Sequence, residues 1–146
     1  MNKLLAKLLV VTAICALLTL PTNTAFANYA ANGNVSGLTW HSSYYSIPYF
    51  YYDGRGQTYT TNGTNVYNIW VRIKTYNDCD YWHQVSSQEQ SQTYANSVYA
   101  GPIANGTSQC TSTTTMRVDG EHTIQNSPGG AYTFVATTET KNVPPW

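Results

Sequence analysis

Between residues 66 and 76 the chain alternates: Tyr67, Ile69, Val71 and Ile73 fall on one side, Asn68, Arg72 and Lys74 on the other. A period of two sends successive side chains to opposite faces of an extended strand, so Ile69, Val71 and Ile73 are expected to face a core. Trp70 shares the polar side, as either a covered contact or an exposed anchor. Further strand-like runs occupy residues 37–45, 49–52, 57–61, 81–86, 93–100, 107–118, 121–125 and 131–141, and in the last of these Tyr132, Phe134 and Ala136 share a face. Turn chemistry punctuates them: Asp53-Gly54-Arg55-Gly56, Asn62-Gly63-Thr64-Asn65, Gly101-Pro102 with Asn105-Gly106, Asp119-Gly120, and Pro128-Gly129-Gly130. The small polar residues 28–36 read as a loose leader, and the Gln/Ser-rich residues 86–92 fit a strand or a short helical turn. Pro144-Pro145 stops regular structure. The spacing is too short for parallel crossovers. The expected fold is therefore all-β, a single antiparallel β-sandwich or small barrel of about eight strands.

The first 27 residues follow a different pattern. Lys3 and Lys7 precede an uncharged apolar run over residues 8–20, Pro21 breaks it, and Ala25-Phe26-Ala27 supplies small residues at a cleavage position. This is the layout of a secretory signal peptide, with cleavage expected between Ala27 and Asn28. The apolar run is shorter than the ~20 residues of a spanning helix. The expected mature chain is thus residues 28–146, extracellular or periplasmic, with no membrane span. Removal of Cys15 leaves Cys79 and Cys110, an even pair in an oxidising compartment, where a disulfide is the default. It would close a loop of about 30 residues, worth roughly 3–4 kcal/mol in the chain-entropy model.

Composition narrows the class. Residues 28–146 hold a single leucine (Leu38), 15 Leu/Ile/Val/Met residues in all, and 19 aromatics. Few good helix formers and many Tyr, Thr and Val suit pleated, half-buried surfaces. The same richness in aromatics argues against disorder. Five Lys/Arg against seven Asp/Glu give a net charge of −2. Without a basic cluster there is little to neutralise phosphates, so nucleic acid is not an expected partner.

The densest chemical feature is aromatic: Trp40, Tyr44, Tyr45, Tyr49, Phe50, Tyr51 and Tyr52 within 13 residues. With so few aliphatics, aromatics must supply part of the core. Yet alternation sends neighbouring tyrosines to opposite faces, and only one face of each sheet in a two-layer sandwich is core. Some of Trp40, Tyr44, Tyr45, Tyr49, Tyr51, Tyr52 and Trp70 are therefore expected at a ligand-binding surface. Cross-strand packing of tyrosines within a sheet is the competing explanation. His41, His83 and His122 accompany no G-x-S-x-G nucleophile, and none of the seven acids stands out as half of an acid–base pair. Asp78, Asp80 and His83 offer three ligating groups near a turn, where a solvated loop is the commoner arrangement. Neither a catalytic residue, a metal site nor a cofactor is expected.

The stretch Thr39-Trp40-His41-Ser42-Ser43-Tyr44-Tyr45-Ser46 resembles the opening of small secreted lactococcin-type bacteriocins. The resemblance covers these eight residues and assigns none of them a role. The expected function is a secreted, non-catalytic β-sandwich that binds a glycan or an extracellular protein through exposed Tyr and Trp. A secreted protein inhibitor or bacteriocin-like antimicrobial factor is the alternative.

Overall fold

The chain forms eight strands: β1 (Asn28–Asn32), β2 (Val35–Ser46), β3 (Tyr49–Thr60), β4 (Val66–Asp78), β5 (Trp82–Ala95), β6 (Ser97–Ala104), β7 (Thr114–Gln125) and β8 (Tyr132–Val143). The structure, a computed structural model, describes residues 28–46, 49–78, 82–104 and 114–143, and for residues 44–46, 49–51 and 143 the backbone alone. Residues 1–27, where a signal peptide is expected, and Cys79 and Cys110 lie outside the described residues.

All pairings are antiparallel, in two four-stranded sheets ordered β1-β2-β3-β6 and β5-β4-β7-β8. The sheets pack face to face, β2 over β7 and β8, β3 over β4, and β6 over β4 and β5. The protein is an all-β sandwich. As expected from the sequence, Ile69, Val71 and Ile73 of β4 are fully buried; Val118, Ile124 and Val135 join them from the same sheet, and Val35 and Val98 from the facing one.

So few aliphatic residues would leave an ordinary sandwich core underfilled. Here the interior is filled by bringing the sheets close together at glycines. Gly37, Gly54, Gly56 and Gly120 all point inward, and each is occupied by a side chain from across the core. A Cβ on Gly56 would stand 2.4 Å from Ile73 Cγ2, and one on Gly37 would stand 2.2 Å from His122 Cδ2. Buried threonines (Thr39, Thr58, Thr75 and Thr137) complete the interior.

These inward glycines correct the turn assignments. Residues 53–56 are not a hairpin: β3 runs through them, and Gly54 and Gly56 are the holes into which Thr75 and Ile73 fit. Asp119-Gly120 likewise sits inside β7, with Gly120 beside Thr39. The expected leader is β1 and the start of β2, joined at a tight turn where Gly33 takes a φ of 60°. Residues 86–92 lie within the continuous β5, and Gly101-Pro102 within β6. The turns at 61–65 and 126–130 are where the sequence places them, with Gly63 and Gly129 both at φ 72°.

Candidate binding face

The residues singled out by sequence do not form one surface. Trp40 lies half-buried on the outer face of the first sheet, between the buried inward residues Thr39 and His41. Its cross-strand partner there is Arg55, whose Nε donates to Ser42 Oγ at 2.9 Å. Tyr52 is on the inner side near the end of the sandwich, half-buried, with Lys141 Nζ 5.1 Å from its ring centroid. The backbones of Tyr44 and Tyr45 pair with those of Tyr51 and Phe50, and Tyr49 pairs with Ser46. Their side chains lie outside the described residues.

Trp70 is on the outer face of the second sheet, which the sandwich leaves open to solvent. Register places its neighbours: Asn68–Gln125–Tyr132 form one row across β4, β7 and β8, and Trp70–Thr123–Phe134 the next. Trp70 and Tyr132 meet edge to face, with ring centroids 5.1 Å apart and planes at 77°. Tyr132 remains 63% exposed and Phe134 50%. Alternation along β8 explains this, because Val135 and Thr137 face inward and are buried. Tyr132, Phe134 and Ala136 then have no sheet to cover them. The sequence showed that these three share a face; it did not show that the face was the open one.

The next rows of this sheet are charged. Arg72 Nε donates to Glu89 Oε2 at 2.6 Å, and Arg72 Nη1 to Glu121 Oε2 at 3.1 Å. Lys74 Nζ donates to Glu121 Oε1 at 2.9 Å. The Lys74 hydrogen bond, aided by the two nearby cations, holds the Glu121 carboxyl below its usual range, and the Glu89 hydrogen bond raises Arg72 further. These pairs are solvent-exposed, so each contributes at most about 1 kcal/mol. Their effect is to fix charge in a neutral lattice. Beyond them Arg117 is sandwiched between the Tyr76 and Trp82 rings, 4.4 and 4.5 Å from their centroids. The face thus presents aromatic rings at both ends of a self-neutralised charged band.

A second aromatic group lies on the opposite outer face. Tyr29 and Tyr99 are 54% and 59% exposed, and the Tyr29 and Tyr59 rings are 6.5 Å apart. Burial, followed by the neighbouring Tyr29, raises the Tyr59 phenol above its ordinary pKa.

The histidines divide sharply. His122 is fully buried between the sheets, with Thr58 Oγ1 3.0 Å from Nδ1 and Thr137 Oγ1 2.7 Å from Nε2. Thr58 already donates its hydroxyl proton to the Trp70 carbonyl at 2.9 Å. Nδ1 therefore carries the ring proton and Nε2 accepts from Thr137. Burial lowers the His122 pKa from 6.5 to about 4, against a small opposing hydrogen bond to the Gln57 backbone. His41 is also buried, its backbone N–H donating to Glu139 Oε2 at 2.7 Å. His83 lies exposed on β5. Among the described residues, no three His, Cys, Asp or Glu side chains converge as a metal-binding group, and no helix is long and apolar enough to cross a membrane.

Compared with known proteins, the chain matches no family model, no curated protein and no solved structure at a significant level.

Proposed function

We propose that the protein is a secreted, non-catalytic module that binds a glycan on the outer face of the β5-β4-β7-β8 sheet. One observation carries this reading: Tyr132 and Phe134 stand exposed beside the half-buried Trp70 on one sheet face, in rows with the buried Thr123 and Gln125. Exposed rings grouped this closely leave apolar area in water that a ligand would cover. The C–H faces of a sugar ring match an aromatic face. The adjacent ion pairs neutralise each other, which favours a neutral saccharide over a strongly charged ligand. Strand pairing fixes the backbone that carries the rings, and Tyr132 packs on Trp70, which limits the conformational entropy lost on binding.

The test is titration of the purified protein with soluble neutral polysaccharides, followed by tryptophan fluorescence and calorimetry. Binding is expected, and Tyr132→Ala and Phe134→Ala should each weaken it about tenfold or more, as interface anchors do. Tyr99→Ala, on the far face, should leave the affinity unchanged. Lack of binding to any saccharide, or binding indifferent to Tyr132 and Phe134, overturns the reading. Inhibition of a secreted hydrolase or of bacterial growth by the same preparation would instead favour the inhibitor or antimicrobial alternative.

A further inference from the structure

The four sheet edges of this sandwich are not treated alike. An uncovered edge offers free backbone N–H and C=O groups to another strand, and stable monomers blunt such edges with short strands, bulges, proline, charges or a covering group. The β1 edge is only five residues long. On β6 the register shifts opposite Gly54–Gly56, Pro102 has no N–H to offer, and the Gly101 amide donates to Gln88 Oε1 at 2.7 Å. On β8 the Asn28 side chain donates to the Thr138 carbonyl, and Glu139 and Lys141 lie along the strand.

The β5 edge has few of these devices. It is 14 residues long, pairs on one side with β4, and is solvent-exposed or half-exposed along its whole length. It contains no proline, lysine or arginine, and its one carboxylate, Glu89, is neutralised by Arg72. The register with β4 is continuous from Thr93 back to Ser86, and the only irregularity lies beyond that, opposite Thr75/Tyr76. Tyr94, at a φ of 52°, turns the chain away at the other end. Between these limits is a segment in regular register, built of Ser, Gln and Thr around the ion-paired Glu89.

We propose that this edge is an interaction surface whose partner is β5 of a second copy of this chain. Antiparallel pairing about a two-fold axis at Gln90 places like with like. Gln90 meets Gln90 of the partner subunit, Gln88 meets the partner's Gln92, and Glu89 meets the partner's Ser91. No two like charges oppose each other in this register, whereas a shift of one residue would turn each strand's faces over. The result is one continuous eight-stranded sheet with both aromatic outer faces on the same side. This inference stands on the edge alone and does not depend on what the face binds.

Sedimentation equilibrium of the purified protein over a concentration series tests it. The mass is expected to rise reversibly from that of one chain to that of two. Gln90→Lys sets two ammonium groups against each other on the axis, and the expected result is a monomer that melts as the wild type does when diluted to monomer, since residue 90 is exposed and at an edge. Gln90→Cys is expected to yield, on mild oxidation, a dimer linked between the two introduced thiols, located by peptide mass mapping. A monomer at every concentration overturns the proposal. So does a dimer that survives Gln90→Lys and gives no link through Gln90→Cys.

Discussion

Acid should weaken this fold through His122, and the size of the effect follows from its surroundings. The ring is fully buried against Gly37 and Gly120, in its neutral form, with Thr58 and Thr137 satisfying both nitrogens. Protonating Nε2 would place a cation in the core and force the Thr137 hydroxyl to reverse its role. The pKa accordingly falls from 6.5 in the free side chain to about 4 in the fold. Between these values the unfolded chain binds a proton that the folded chain refuses, so stability rises with pH in that window. The full contribution is present above pH 6.5 and is lost as the pH falls through 6.5 toward 4. Complete loss corresponds to about 3 kcal/mol, a sizeable share of a domain stability of ~5–15 kcal/mol. The assay is urea denaturation from pH 7.5 to 4, on the wild type and on His122→Asn, which cannot titrate. Carboxylates and the other histidines are common to both proteins, so the difference between the two curves isolates His122. The wild type should lose about 3 kcal/mol more than the variant over that range. Parallel curves, or an imidazole titration by NMR that places His122 near its free value, would refute the argument.

Three further outcomes follow from the same geometry. Gly37→Ala should destabilise by about 1–3 kcal/mol in thermal and chemical melts, because the new methyl would stand 2.2 Å from His122 Cδ2 and the ring has nowhere to go. Val71→Asp buries an unpaired carboxylate and should cost several kcal/mol, whereas Arg72→Ala on the exposed side of the same strand should cost at most about 1 kcal/mol. Intact and non-reducing peptide mass analysis of the secreted protein should find a chain beginning at Asn28 with Cys79 linked to Cys110, and reduction should lower stability by roughly 3–4 kcal/mol.

What the sequence determined by itself was the strand that carries its own contrast. On β4 one face is aliphatic and the other polar, so period-two patterning identifies both the element and its buried side. On β5 neither face meets the other sheet closely enough to be dry, so no contrast exists, and the Gln/Ser run was legible only once its pairing with β4 was known. The glycines were misleading for a related reason. A glycine next to Asp is a local turn signal, but the same missing Cβ serves a strand that must admit a side chain from the opposite sheet, as Gly56 admits Ile73 and Gly54 admits Thr75. Local sequence does not distinguish the two uses, because the clash that glycine relieves lies across the core. The aromatic surface divides in the same way. The sequence established an excess of rings over what the core could hold and placed Trp70 on the polar side of its strand. Only the stacking of the two sheets decided that Tyr132 and Phe134, rather than Tyr52, would stand exposed beside the half-buried Trp70, since exposure is set by which face another layer covers.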